Sequence, residues 1–393
     1  MAETTAPAVK ETYSPGLEGV IAGESAISTI TGGLRYRGYP VTELADHCSF
    51  EEVGYLLLHG ELPSKVELAA FHSRIAAARQ LPDALITLFK ALPKNVPAMD
   101  ACRTAISVLA HYDPEVNDNS TPANRRKAER LMGQIPLAVA AQHRIANGQE
   151  PIPAQDGLPI ASEFLRLLTG KVPGKEDTKA FDVSLILYAE HEYNASTFTC
   201  RVVCSTMADL HSAVVAGVGA LKGPLHGGAN EKVMDILIAT GGPDKATKWT
   251  HDALARKERI MGFGHRVYKT GDVRAAYLKK YAQEASKRAG TDKWEQTAEI
   301  MEEIMAKEKN MFPNLDWPAG RLYHAMNLAV PIYTPIFVMS RITGWSARLH
   351  RAGGEQSSDS ATGYLHRPGG TEGGAVGAAG VGDLAYQFER EIE

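Results

Sequence analysis

Cysteine is scarce in this chain: Cys48, Cys102, Cys200 and Cys204 are the only four in 393 residues, and no CxxC pair recurs at zinc-like spacing. A disulfide scaffold and a thiolate-zinc module are thereby excluded, and a reducing compartment fits best. Long apolar runs are missing as well, since none approaches the ~18 residues needed to cross a bilayer. Charge of neither sign dominates: 42 Lys plus Arg stand against 46 Asp plus Glu, a net of −4, which leaves no basic footprint for nucleic acid. Small molecules and identical subunits remain as expected partners. The opening MAETTAPAVKETYSP has neither an apolar export core nor an Arg-rich amphipathic pattern, so residues 1–14 read as a disordered tail and the protein as cytoplasmic. Alternating strand patterns with hairpin turns are also rare, and no repeat period appears. A Gly-rich stretch, residues 369–382, is the one low-complexity segment.

What is present is helical periodicity. Ser49 followed by Glu52 makes a capping box, and the apolar run after it stops at Gly60. Apolar spacing of the 3.6-residue kind recurs over 66–80, 84–92, 101–111 and 124–147, then over 181–221, 231–240, 274–289 and 294–309. Short connections rich in Pro, Gly and Asp separate them. The expected fold class is therefore mostly α, in one large domain or two unequal ones.

Three segments set rare ionisable residues among glycines or turn residues, where backbone approaches a ligand closely: KGPLHGGAN at 222–230, MGFGHRVYK at 261–269 and FPNLDW at 312–317. A fourth, HEYNAST at 191–197, reads as helical and polar on one side. Each has a plain alternative: His226 is as readily a loop residue as a catalyst, and Asp316 alone is more readily a cap or turn residue than a base. The glycines match neither GxxxxGK[ST] nor a GxGxxG after a strand, and His191-Glu192 lacks the second histidine of HExxH, so nucleotide and zinc readings are weak. Together, two histidines and an aspartate supply what carbon–carbon bond formation beside a thioester needs. A carboxylate removes a proton from carbon, one imidazole stabilises the enol oxygen, and a second polarises the attacked carbonyl. An arginine would hold the acceptor's carboxylates bidentately.

AEHEYNASTF, LKGPLHGGANE, IMGFGHRVYK, FPNLDW and TPIFVMSRITGW, in this order, resemble the signature segments of the citrate synthase superfamily, as do GLEGVIAGESAISTI and LRYRGYPVTELA near the start. The resemblance runs from about Gly16 to Trp345. It implies a mostly helical, two-domain protomer with the active site in the interdomain cleft: a large domain from 1–222 and 322–393, a small domain from 223–321. It further implies condensation of oxaloacetate with an acyl-CoA and hydrolysis of the thioester, in at least a homodimer, with no metal and no cofactor beyond coenzyme A as substrate. Asp316 would be the base, His226 the partner of the enol oxygen, and His265 the group that polarises the oxaloacetate carbonyl. His191, Asn194 and Arg274 would bind oxaloacetate, with the family's Asp-Pro-Arg here Asp272-Val273-Arg274. Arg259, Ile260, Gly262 and Lys269 would meet coenzyme A; Lys269 is equally readable as a surface lysine.

Tyr193, and Trp317 after the candidate base, resemble the branch of the family that uses propionyl-CoA to form 2-methylcitrate, with the acetyl-CoA reaction as the alternative. An inactive homologue and a helical scaffold are competing readings, both weakened by the intact His226, His265 and Asp316 set. Beyond about Ala347 the resemblance stops. Codons for 349–361 can be chosen so that reading one base later gives a segment like the family's usual ending, so this end is read as frame-shifted. Ser360 would then stand where the family's Arg-Pro arginine belongs, Arg367-Pro368 would be coincidental, and few apolar residues after Ala347 should be buried.

Overall fold

The computed structural model describes residues 25–265, 268 and 271–352. They form sixteen α-helices and three two-residue strands. No helix among them is long and apolar enough to cross a membrane. The strands β1 (Ser28–Thr29), β2 (Arg35–Tyr36) and β3 (Tyr39–Pro40) pair antiparallel in that order. Helices α1 (Val41–His47), α2 (Phe50–His59), α3 (Lys65–Ala77), α4 (Asp83–Ala91), α5 (Ala98–Ala110), α6 (Thr121–Ala146), α7 (Ile160–Thr169) and α8 (Lys175–Tyr188) follow. Start and stop chemistry is explicit in α2. Ser49 Oγ accepts the Glu52 amide, Glu52 returns the bond, and Gly60 closes the helix in the left-handed region.

The periodicity over 181–221 is not one helix. It divides into the end of α8, α9 (Ala195–Ser205) and α10 (Leu210–Leu221). The segment 191–194, expected to be helical, is a turn: Glu192 has φ +48°, and the Asn194 side chain accepts the Thr197 amide as the N-cap of α9. A capping residue needs extended backbone, so its own signal ends one helix and begins the next. Then come α11 (Ala229–Thr240), α12 (Pro243–Ala255), α13 (Val273–Ala289), α14 (Asp292–Lys309), α15 (Asp316–Ala325) and α16 (Tyr333–Ala352).

α16 is the hub. It packs against α2, α6, α8, α9 and α10 and is buried on every side from Tyr333 to Leu349. Its polar side chains stay inside by bonding neighbouring backbone: Ser340 Oγ donates to Leu185 O, and Arg341 Nε donates to Tyr188 O at 2.8 Å. Gly344 is required by proximity, because a Cβ there would lie 2.4 Å from Ala189 O. The tail, the Gly-rich end and most of the chain after Ala347 lie outside the described residues; Arg348 and Leu349 are buried.

Candidate active site

Three separate segments fuse into one platform. The loop 261–265 pairs with 312–314 through a Phe263–Pro313 bridge. Gly264 N–H donates to Phe312 O at 2.8 Å, Asn314 N–H to Gly262 O at 2.9 Å, and Asn314 Nδ2 to Gly264 O at 3.0 Å. Asp272 then joins the start of α13 to the start of α15 by accepting the Leu315 amide at 3.2 Å. The platform presents His265, Arg274 and Asp316 together.

Facing it is one stripe of α16. Thr334, Phe337, Arg341, Trp345 and Arg348 recur at steps of three and four, so they share a helix face. The remaining wall is the turn after α8, which carries His191, and the turn before α11, which carries His226. β1 holds the first of these turns in place. Ser28 Oγ donates to Glu190 Oε1 at 3.0 Å while accepting the Glu192 amide and Arg348 Nη2, which uses its one donor and both acceptors.

Arg274 is buried and locked by Asp272, with Nε to Oδ1 at 3.0 Å and Nη2 to Oδ2 at 2.8 Å. Asp272 also caps α13 through the Arg274 amide, so its carboxylate sets the guanidinium without a proline between them. Burial raises the Asp272 carboxyl, but Arg274 outweighs it and holds the group below its ordinary range. His191 is buried, with Nε2 3.0 Å from Tyr268 Oη and its ring 5.0 Å from that of His265. Burial and then Arg274 hold its imidazole neutral. His265 Nδ1 accepts the Tyr268 amide at 3.4 Å, an arrangement that directs Nε2 to act as the donor. His226 Nε2 lies 2.9 Å from Ser196 Oγ and 3.4 Å from the Ser196 amide, and burial, with Arg341, pushes its pKa down to about 3.

Asp316 is the first residue of α15, at the positive end of a helix, and accepts Tyr188 Oη at 2.6 Å. Burial pushes its pKa up to about 6, against the opposing pull of the Tyr188 bond, Arg274 and Arg341. A carboxyl so placed is ionised at neutral pH and far more basic than an ordinary aspartate.

Asn194 sits beside His191, but its amide is occupied locally. It donates to His191 O and Thr197 Oγ1 and accepts from Ser196 Oγ and the Thr197 amide. It shapes the turn rather than presenting a free polar group. Of the coenzyme A candidates, Arg259 is exposed, while Ile260 is buried and can offer only backbone. Gly262, at φ +89°, turns the loop where a Cβ would lie 2.7 Å from the Trp317 ring. Lys269 lies outside the described residues.

Tyr193 and Trp317, the aromatics that resemble the propionyl-CoA branch, make their contacts with other residues. Trp317 is fully buried, donating Nε1–H to Glu302 at 2.8 Å and packing on Phe263 at 4.5 Å. Tyr193 lies between the guanidinium groups of Arg348 and Arg201, 4.5 and 5.1 Å from its ring. The aromatics beside Asp316 and His226 are Tyr188, on Asp316, and Phe337, 4.3 Å from Tyr188 and 6.2 Å from His226.

Arg341 is a candidate site residue that the sequence did not single out, although it stands inside TPIFVMSRITGW. It is buried, its Nη1 has no hydrogen-bond partner among the described residues, and burial lowers its pKa to about 10. Its charge acts on His191, His226 and Asp316, lowering the pKa of each. An arginine in a buried apolar helix was the available signal.

The family model described as citrate synthase, C-terminal domain, matches residues 16–368, which extends past Ala347, where the resemblance was expected to stop. A 2-methylcitrate synthase of Mycobacterium tuberculosis is 47% identical over 354 residues, covering 88% of each chain. A citrate synthase of Mycolicibacterium smegmatis is 44% identical, covering 88% of this chain and 92% of its own. Among solved structures, citrate synthase from Thermoplasma acidophilum, in a ternary complex with carboxymethyl coenzyme A and oxaloacetate, superposes with a TM-score of 0.82 at 31% identity. That alignment covers 92% of this chain and 96% of the other.

Proposed function

The chain belongs to the citrate synthase family, and from that membership we propose that it joins oxaloacetate to a short acyl-CoA and hydrolyses the resulting thioester, with propionyl-CoA as the preferred donor. Arg274 and the unpartnered Nη1 of Arg341 would hold the two carboxylates of oxaloacetate, with His191 beside them. The proton on His265 Nε2 would polarise the ketone. Asp316 would take the α-proton of the acyl group, and neutral His226 would donate a hydrogen bond to the thioester oxygen as the enol forms. The α-carbon then bonds the ketone carbon, whose oxygen takes a proton from His265. Water finally adds to the thioester carbon, and coenzyme A leaves as free thiol.

The observation that carries this reading is the convergence of a carboxyl held at about 6 with two buried guanidinium groups and three imidazoles. A neutral His226 serves because a proton donor that is itself uncharged can stabilise an enol without first protonating the base opposite it. Residues 1–222 with 322–393, and 223–321, are proposed as the large and small domains, their closure excluding water until the carbon bond forms. A cytoplasmic homodimer completes the proposal.

Tyr188 and Phe337 would form the acyl wall. A single methylene is worth about 1–3 kcal/mol in an apolar pocket, so both acyl-CoAs should react, with propionyl-CoA ahead by at most ~200-fold in kcat/KM. Thiol release from each acyl-CoA, with and without oxaloacetate, tests this. Release that needs oxaloacetate and favours propionyl-CoA supports the proposal. A preference for acetyl-CoA reassigns the donor, and release without oxaloacetate overturns condensation.

A further inference from the structure

His226 is gripped by α16 at two points. Its ring bonds Ser196, whose Oγ also accepts Trp345 Nε1–H at 3.2 Å. Its backbone turn is anchored about three helical turns away, at the start of α16. There, Glu231 Oε1 accepts the Thr334 amide at 3.2 Å and the Thr334 hydroxyl as well. Thr334 Oγ also lies 3.4 Å from Gly227 O, the carbonyl next to His226, and Asn230 Nδ2 reaches Tyr333 O at 3.4 Å. Thr334 is buried at 1% exposure and Glu231 is half-buried. Phe337 and Arg341 stand on the same α16 face between the two anchors.

We propose that Glu231, through Thr334, is a positioning residue for His226: it fixes the height of the imidazole along α16 and hence its distance from Arg341, Phe337 and Asp316. The proposal rests on the reading of His226 given above. The carboxylate suits this place twice over. It lies in the first turn of α11 and accepts an amide in the first turn of α16, so two helix N-termini favour its charge against the burial that raises its pKa. Without it, the turn carrying His226 keeps its internal bonds, His226 N–H to Gly223 O and Gly227 N–H to Leu221 O, and loses its register on α16.

The test uses Glu231→Ala and Glu231→Gln beside Thr334→Val and Thr334→Ser in the full chain. It measures kcat, calorimetric Kd for oxaloacetate and Tm, with ring-nitrogen NMR of His226 as a readout independent of turnover. A misplacement of about 1 Å can cost ~10²-fold in rate, so Glu231→Ala and Thr334→Val should each lower kcat about 10- to 100-fold. Oxaloacetate Kd should stay within about twofold, because Arg274 is untouched. Glu231→Gln and Thr334→Ser, which keep the acceptor and the hydroxyl, should restore most of the rate and a wild-type His226 signal. The double variant should lose less than the product of the singles, as one interaction removed twice does. A lower Tm with unchanged kcat and an unmoved His226 signal would mean a merely structural bond and would overturn the proposal. If Glu231→Ala does not fold, wild-type kcat in Thr334→Val overturns it alone. A wild-type chain that releases no thiol would count against the proposed function instead, while the His226 signal still decides the positioning.

Discussion

Asp316 and Tyr188 show how much one hydrogen bond sets. Burial raises the carboxyl and the phenol lowers it, leaving the pKa at about 6. A base works only when ionised, so kcat/KM should fall as pH drops through about 6, where an ordinary aspartate would hold to about 4. Tyr188→Phe removes the donor that favours the charged form and should move this acid limb to higher pH by about one pH unit. An acid limb that stays in place would show that the phenol does not act on the base. Arg341→Met should weaken oxaloacetate binding about 10- to 100-fold, the worth of a charge-assisted contact, in a calorimetric titration. Unchanged affinity would remove Arg341 from the carboxylate site. His226, His265 and Asp316 stood out in the sequence because each stands among glycines or turn residues, whereas Arg274 came from the family resemblance alone. Arg341 and Tyr188 did not stand out, since an arginine among Met, Ser and Ile and a tyrosine ending an apolar run carry no mark of which face they present. Trp317 follows the candidate base in sequence, yet its side chain packs behind the loop at Gly262.

Between elements, buried carboxylates do the joining. Asp182 accepts the Phe50 amide at the start of α2 at 3.1 Å, and Glu51 accepts the Ile160 amide at the start of α7 at 2.6 Å. Burial, then the Glu51 charge, push Asp182 up to about 7. The folded chain therefore holds a proton that the unfolded chain has released between about pH 4 and pH 7, and stability falls as pH rises through that window. Asp182→Asn keeps the acceptor and cannot ionise, so it should raise Tm at pH 8 and do less at pH 5. A lower Tm at pH 8 would contradict this. Gly262→Ala should lower Tm and turnover together, because the new Cβ meets the Trp317 ring 2.7 Å away at a φ of +89°. The capping box of α2 and the periodicity of α13 and α14 gave those helices away, whereas α1, α7, α12, α15 and α16 went unread. The breaks at 189–194 and 206–209 were hidden because apolar spacing continues across them; only the capping roles of Asn194 and Asp209 mark the new starts.

At the scale of the molecule, the fold class followed from helical periodicity and the rarity of strand patterns, but the arrangement did not. Nothing in the spacing of residues 28, 190 and 348 says that Ser28, Glu190 and Arg348 meet. Long-range pairing of that kind is set by packing, and it is what brings the two ends of the described chain onto one turn of the site. Making a carbon–carbon bond is the chemistry proposed for this site. The most direct measurement is the mass of the product formed from oxaloacetate and propionyl-CoA by the wild-type chain and by Asp316→Ala. The wild type should yield a single tricarboxylic acid containing the carbons of both substrates, and Asp316→Ala almost none while still binding oxaloacetate. Recovery of free propionate and unchanged oxaloacetate alongside the released thiol would contradict the account.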